Sequence, residues 1–304
     1  MKQLYYYLDY GLVFESEIYL PEFTPVAAQP PDVIIRTGEL PVPANVINRG
    51  EISHKIMSDG LFWSWNAAGR YRIIEGKKVI VQPGPEAEPA LVRQPLCGTV
   101  MAAILQQRGL LTLHGSAVEI DGKALIIVGD KGYGKSTLAA AMHRHGYRIL
   151  TDDITAVDCA SGRKPLIHAG VPCLKLWPDA AKAIGLDPAA LQPVTDKIPK
   201  LLYHVPFTKP DITIPAGWIL FLCAGNEIMF KQQSLLDAFQ KLLISKYFAV
   251  IEEHWPTNIL EMEFRQCATL ANIIPVITFT RPREPELIDT GIKETLNHIR
   301  SIQQ

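Results

Sequence analysis

The sequence has few cysteines and no excess of charge of either sign. Its five cysteines are Cys97, Cys159, Cys173, Cys223 and Cys267. No two of them have the CxxC spacing of a zinc or redox motif, so we expect neither a disulfide framework nor a metal cluster. With 30 basic and 31 acidic residues the formal net charge is −1, and this balance argues against nucleic acid as a partner.

Signals that direct a protein out of the cytoplasm or into a membrane are also missing. The first residues, MKQLYYYLDYGLVF, lack the basic start and the continuous apolar core of a signal peptide. No later stretch reaches about 18 uncharged apolar residues, the minimum for a membrane-spanning helix. We therefore expect a soluble cytoplasmic protein without a membrane partner.

The chain has 304 residues, of which 48% are hydrophobic, enough for a buried core in one or two domains. Short apolar runs alternate with proline-rich joints from Tyr5 to about Pro85, which predicts a β-rich N-terminal domain over residues 1–95. The segment ALVRQPLCGTVMAAILQQRG has helical spacing and predicts one connecting helix. Strand-like and helix-like segments then alternate, so we predict a second domain over residues 96–304 and a mixed α/β fold.

A glycine-rich loop stands between a strand-like run and a helix-like run of the second domain. In GDKGYGKST, four residues match the motif G-x-x-x-x-G-K-[ST]: Gly129, Gly134, Lys135 and Ser136. Glycines allow the backbone N–H groups to converge on phosphate oxygens, and the start of the next helix adds a favourable dipole. We expect Lys135 to reach the β- and γ-phosphates of ATP, and Ser136 to ligate Mg²⁺. The predicted nucleotide-binding residues are Gly129, Asp130, Lys131, Gly132, Tyr133, Gly134, Lys135, Ser136 and Thr137.

Two adjacent acids, Asp152 and Asp153, lie in the next strand-like run, YRILTDDITAVD, which we predict as one strand. The acids close its first part, YRILTDD, and we expect them near the carboxyl end of a parallel strand. Because side chains alternate along a strand, the two carboxylates face different ways. One of them can then serve a metal ion while the other accepts a proton from a substrate hydroxyl. A histidine, His114 in LTLHGSA, lies on the strand two elements before the loop.

The stretch LHGSAVEIDGKALIIVGDKGYGKSTLAAAMHRHGYRILTDDITAV resembles the catalytic core of the bacterial HPr kinase/phosphorylase family. Three motifs match that family in order and spacing, namely His114-Gly115, the loop from Gly129 to Ser136, and Asp152-Asp153. The resemblance covers about residues 110–158 and is loose beyond them. It implies a P-loop serine kinase that uses ATP and Mg²⁺.

The resemblance also implies a role for each matched side chain. Lys135 and Ser136 hold the nucleotide and the metal ion. Asp152 is the general base toward the acceptor serine and Asp153 is a metal ligand. His114 is the neighbour that orients the catalytic acid.

The sequence departs from that family at several positions. Lys131 replaces a small residue of the loop, Thr137 stands where an acid is typical, and Ile154 replaces a third acid. The E-x-R-G-x-G stretch that accompanies phosphorylase activity has no clear counterpart, and LIHAGVPCLKLW is the nearest segment. These departures put a reverse, dephosphorylating activity in doubt.

The N-terminal stretch YYYLDYGLVFESEIYLPEF is similar to stand-alone HPr-kinase-like proteins found beside peptide-modification genes. That subgroup includes lasso-peptide precursor kinases, which phosphorylate a serine at the C-terminal end of a precursor peptide. The resemblance therefore implies a precursor peptide or small protein with an acceptor serine as the partner. Relatives in the wider family form hexamers, so an oligomer is compatible with the resemblance.

Two other functions stay open at this point. The first is a kinase of the same fold that acts on a small molecule or on HPr, and the second is a nucleotide-binding regulator without catalysis. Intact Asp152 and His114 argue against the regulator. An acceptor peptide needs a groove, for which the sequence offers four basic residues: Lys197, Lys200, Arg281 and Arg283.

Overall fold

In the computed structural model, the N-terminal part of the chain forms a nine-stranded sheet. Its strands are β1 (Tyr5–Asp9), β2 (Leu12–Ser16), β3 (Thr24–Pro25), β4 (Val33–Thr37), β5 (Ile47–Arg49), β6 (Ile52–Met57), β7 (Gly60–Trp65), β8 (Gly69–Ile74) and β9 (Lys78–Pro83). They lie side by side in the order β3-β1-β2-β4-β9-β8-β7-β6-β5. Strand β4 is parallel to both β2 and β9. The structure describes residues 3–160, 164–170, 173–196, 198–205, 211–249, 251 and 255–302.

Two helices cover this sheet where the sequence predicts one. They are α1 (Pro89–Cys97) and α2 (Thr99–Gln107). Gly98 separates them, with φ −124° and ψ −110°, values outside the helical region. Helix α2 is apolar on all sides, and its residues 100–105 are buried in the core below the sheet. The predicted division at residues 95 and 96 falls inside α1.

A second large sheet lies at the centre of the remaining chain. Its strands are β10 (Leu111–His114), β11 (Ser116–Ile120), β12 (Lys123–Gly129), β13 (Arg148–Thr151), β14 (Ile154–Asp158), β15 (Leu166–His168), β19 (Thr213–Ala224), β20 (Met229–Gln232) and β21 (Val276–Arg281). The strand order is β10-β14-β15-β19-β12-β11-β13. In addition, β21 pairs with both β19 and β20. Strands β12, β19 and β21 run parallel to one another, so their carboxyl ends meet at one edge.

Alternate residues of this sheet face opposite layers of helices, as the two-residue period of a strand requires. On one face, Leu125 and Ile127 pack toward α3 (Lys135–Arg144) and α7 (Ile288–Ser301). On the other face, Ile126 and Val128 pack toward α5 (Leu235–Ser245) and α6 (Thr257–Ile273). The mixed α/β fold that the sequence predicts is confirmed.

A three-stranded sheet stands beside the glycine-rich loop. It consists of β16 (Cys173–Leu176), β17 (Gln192–Thr195) and β18 (Ile198–His204), with β18 in the middle. A short helix, α4 (Pro178–Ala183), follows β16 and packs on β18. This sheet forms a wall of the cleft described below.

Candidate active site

The glycine-rich loop connects β12 to α3 at the carboxyl edge of the parallel strands. Gly132 and Gly134 have φ of +86° and +85°, where glycine is strongly favoured. Gly129 passes close to the neighbouring strand, and a Cβ there would lie 2.7 Å from the carbonyl oxygen of Leu222. The motif glycines are therefore needed for the shape of the loop, which ends where α3 begins.

Lys135 is the first residue of α3, and its side chain turns back over the loop. Its Nζ donates to the carbonyl oxygen of Gly129 at 2.9 Å and lies 3.3 Å from that of Asp130. Burial lowers the pKa of Lys135, while the negative charges of Asp152 and Asp153 oppose that shift. The loop carbonyls thus hold a mostly buried ammonium group at the start of the helix.

The first acid of the pair is buried behind the loop. Asp152 is 7% exposed, and its Oδ1 accepts a hydrogen bond of 2.6 Å from the hydroxyl of Ser116. The loop serine, Ser136, is also close enough to lower the pKa of Asp152. Burial raises the pKa of Asp152, and the hydrogen bond from Ser116 offsets part of this rise. The serine predicted to ligate the metal ion and this carboxylate therefore lie near each other.

The second acid is the central residue of a tight turn. Asp153 has φ +69°, and the N–H of Ile154 donates to the carbonyl oxygen of Asp152 at 2.9 Å. A hydrogen bond between residues i and i+2 about a residue of positive φ defines a γ-turn, which is rare and strained. The single strand predicted for YRILTDDITAVD is thus wrong, because this turn separates β13 from β14. Strand β13 is also antiparallel to its neighbour β11, whereas we expected the acids at the end of a parallel strand.

His114 contacts Asp153, and not Asp152 as the expected orienting role implies. Its Nδ1 lies 3.2 Å from Oδ1 of Asp153. Burial alone raises the pKa of Asp153, but the contact with His114 and the charges of Lys175 and Lys200 together lower it to about 2. Neighbouring carboxyl groups thus have pKa values shifted in opposite directions, and such pairs are typical of sites that divide two tasks between two acids.

The loop and the acidic turn line one cleft of about 390 Å³, a volume in the range of small-ligand pockets. Of the nine predicted nucleotide-binding residues, residues 131–137 line this cleft, whereas Gly129 and Asp130 do not. His114, Asp152 and Asp153 line it too. The structure thus brings the three motifs together in one cleft, although His114 and Asp152 are 38 residues apart in the sequence.

The basic residues predicted for an acceptor groove occupy two separate walls of this cleft. Lys200 lies on β18, and its Nζ is 5.5 Å from the ring centre of Trp177. Arg281 instead ends β21 on the loop side, where its Nη2 would be 2.8 Å from a Cβ on Gly134. Arg283 packs over the ring of Tyr133 at 4.8 Å. Lys197 lies outside the described residues.

Three site residues were missed by the sequence analysis. Ser116 follows Gly115 and carried no motif of its own, although its position beside the matched pair is a usable signal. Lys175 lies on β16 in the segment LIHAGVPCLKLW; it pairs with Leu202 on β18, two residues from Lys200 along that strand. Tyr10 comes from the N-terminal sheet and reaches the acidic turn only through the fold.

A glycine-rich loop with a buried lysine that faces two carboxylates is typical of enzymes that transfer a phosphoryl group from a nucleoside triphosphate. The relatives of this chain belong to that class. Over 61 residues it is 39% identical to the HPr kinase/phosphorylase of Treponema pallidum, covering 20% of this chain and 19% of that protein. Over 104 residues it is 32% identical to the HPr kinase/phosphorylase of Clostridium botulinum, covering 33% of each.

The chain is thus homologous to HPr kinase/phosphorylases over part of its length, and it spans at most about a third of these curated relatives. No protein-family profile matches it. A solved structure, the Hpr(Ser) kinase/phosphatase from Coxiella burnetii, aligns with 64% of this chain and 99% of its own at 14% identity. The TM-score of 0.32 is too low to support an argument. In the described part of the chain, no helix is long and apolar enough to cross a bilayer.

Proposed function

We propose that this protein is a kinase of the HPr kinase type that transfers the γ-phosphoryl group of ATP to a serine hydroxyl. The observation that carries this proposal is the single cleft in which the Lys135 loop faces the acidic turn of Asp152 and Asp153. An in-line transfer requires the donor phosphate and the acceptor hydroxyl to lie side by side, and a cleft between the loop and the acidic turn can hold both.

On the donor side, the loop amides and Lys135 bind the triphosphate and stabilise the charge of the transferring group. Mg²⁺, when bound, neutralises part of the triphosphate charge. The hydroxyl of Ser136 and the carboxylate of Asp153 are the oxygen ligands that this cation prefers. The low pKa of Asp153, about 2, keeps its carboxylate ionised at neutral pH.

On the acceptor side, Asp152 accepts the proton of the serine hydroxyl while the serine oxygen bonds to the γ-phosphorus. The bond from the γ-phosphorus to the bridging oxygen breaks, and ADP leaves with that electron pair. The raised pKa of Asp152 makes it the more basic of the two carboxylates, which suits it to this role. Ser116 holds one carboxylate oxygen in place.

The proposed acceptor is the C-terminal serine of a ribosomal precursor peptide of the lasso type. Two lysines on the paired strands β16 and β18, Lys175 and Lys200, line the cleft and act electrostatically on Asp153. A C-terminal serine carries its free carboxylate next to the hydroxyl, so a pair of cations beside the acid favours that group. This charge arrangement supports a C-terminal over an internal serine.

The test is mass spectrometry of phosphate transfer from Mg²⁺-ATP to a peptide ending in serine, with the same peptide as its C-terminal amide for comparison. We expect phosphorylation of the free acid, a loss of roughly tenfold or more for the amide, and none with Asp152→Asn. HPr and small hydroxy acids are tested in parallel. Bound ATP without transfer to any acceptor would instead support the nucleotide-binding regulator.

A further inference from the structure

The hairpin between β1 and β2 reaches from the N-terminal sheet to the acidic turn. Its two connecting residues, Tyr10 and Gly11, have φ of +51° and +72°. Two consecutive left-handed residues form a type I′ turn, in which asparagine or glycine usually takes the first position. A bulky aromatic residue is uncommon in this conformation and persists where its side chain is strongly held.

The side chain of Tyr10 is 2% exposed and ends in a closed set of hydrogen bonds around the acidic pair. Its hydroxyl donates to the carbonyl oxygen of Ile154 at 2.9 Å and lies 2.9 Å from Oγ1 of Thr151. Thr151 Oγ1 donates to the same carbonyl oxygen at 2.7 Å. Thr151 and Ile154 are the residues directly before and after Asp152-Asp153, so one phenol contacts both flanks of the acidic pair.

The second domain leaves a space of matching shape for this ring. A Cβ on Gly170 would lie 2.1 Å from Cζ of Tyr10, which no side chain could tolerate. The N–H of Gly170 donates to the carbonyl oxygen of Leu150 at 2.9 Å, so the segment that accommodates the ring is itself fixed to β13. The ring is therefore inserted between β13 and the residues that follow β15, next to the strained turn.

We propose that Tyr10 is a positioning residue, which holds the γ-turn so that the carboxylates of Asp152 and Asp153 face the cleft. Asp153 keeps its positive φ only while its surroundings enforce it, and the Tyr10 hydroxyl braces the Thr151–Ile154 hydrogen bond from the N-terminal sheet by contacting both of its partners. The N-terminal sheet is then a part of the catalytic apparatus and not a separate module. This inference rests on the proposed kinase function for its kinetic consequence.

The test compares Tyr10→Phe with Tyr71→Phe. Both tyrosines are buried, and the hydroxyl of Tyr71 donates to the carbonyl oxygen of Val92 at 2.8 Å, a contact inside the N-terminal domain. Each variant loses a buried hydroxyl and keeps its ring; the Tyr10 hydroxyl has two polar contacts and the Tyr71 hydroxyl has one. We expect Tyr10→Phe to lose roughly tenfold or more in kcat, with an unchanged Kd for ATP, because a small displacement of catalytic groups is costly. Tyr71→Phe should lower the Tm similarly and leave kcat unchanged.

A third variant, Thr151→Val, removes one of the two groups that contact the Tyr10 hydroxyl. If both side chains act through the same turn, its loss of kcat and that of Tyr10→Phe should not add in the double variant. Additive losses would overturn the shared role. Full turnover in Tyr10→Phe would overturn the proposal whatever the other variants do.

A second measurement does not depend on the acceptor. Hydrogen exchange of the Ile154 amide, followed by NMR, reports on the bond that closes the γ-turn. We expect faster exchange in Tyr10→Phe and no change in Tyr71→Phe; equal exchange in both would contradict the structural part of the inference. If the wild-type protein transfers no phosphate, the proposed function fails, but this experiment still decides whether Tyr10 holds the turn.

Discussion

The glycine-rich loop and the acidic turn face each other across one cleft, but they are built in different ways. The loop is formed by nine consecutive residues, and the charged group in it, Lys135, is held by the loop's own carbonyls. The acidic turn is held by Tyr10, His114 and Ser116, which come from three other strands or turns. A locally built site can be recognised from a motif, whereas an assembled one depends on the fold.

The largest effect is expected on the loop side. Lys135→Ala removes the buried ammonium group that faces the phosphates, and we expect ATP binding to fall by a hundredfold or so, with no measurable transfer. Isothermal titration with Mg²⁺-ATP measures the affinity. Lys293→Ala is the matched control, because Lys293 is exposed on α7 and does not line the cleft, so it should change affinity little. Equal losses in both would mean that only the overall charge of the protein matters.

On the acidic side, replacing each of the two carboxylates should affect a different kinetic parameter. Asp152→Asn removes the proposed base, and we expect kcat to fall by about a hundredfold or more while ATP affinity is retained. Asp153→Asn should instead raise the Mg²⁺ concentration needed for half-maximal activity, and asparagine tolerates the positive φ at this position. The measurement is kcat and Mg²⁺ dependence for both variants. If Asp153→Asn loses the larger share of kcat at saturating Mg²⁺, the two roles must be exchanged.

Arg281 tests whether the loop alone forms the phosphate-binding side of the cleft, because this residue comes from a different strand. Its guanidinium lies at Gly134, its Nε is buried without a hydrogen-bond partner in the described part of the chain, and Nη1 makes one long contact of 3.4 Å to the carbonyl oxygen of Pro282. A cation with unused donors beside the loop is suited to a phosphate oxygen.

We therefore expect Arg281→Ala to weaken ATP binding or turnover by roughly tenfold, measured by the same titration and by kcat. Arg283→Ala is the control, because Arg283 is exposed and packs on Tyr133, and its effect should be smaller. An Arg281→Ala variant with wild-type affinity and turnover would leave the loop a fully local site.

The same contrast explains what could be predicted from the sequence. Gly129, Gly134 and Lys135 were identified because their chemistry depends on neighbours within a few residues. The break in YRILTDDITAVD was missed because its sequence has the alternation of a continuous strand, and only long-range contacts hold Asp153 at positive φ. The position of Arg281 beside Gly134 could not be predicted, because the parallel order of β12, β19 and β21, which brings its strand end to the loop, is not encoded in any local pattern.

The smallest expected effect is on the pH dependence of the free energy of unfolding. The folded-state pKa of Asp153 is lowered to about 2, below the usual value of about 3.9 in an unfolded chain. A group with a lowered folded pKa contributes stability above its unfolded pKa and loses that contribution as the pH falls through the folded value. Wild type should therefore be more stable than Asp153→Asn at pH 7, and the difference should shrink between about pH 4 and pH 2.

Asp152 should show the opposite sign, because burial raises its pKa and its ionised form is disfavoured in the folded state. Asp152→Asn should then be no less stable than wild type at pH 7, apart from any change in the hydrogen bond with Ser116. Urea denaturation of the three proteins at several pH values measures both differences. If both variants lose stability equally at pH 7, the two acids share one environment, and electrostatics gives no reason to divide base and metal ligand between them.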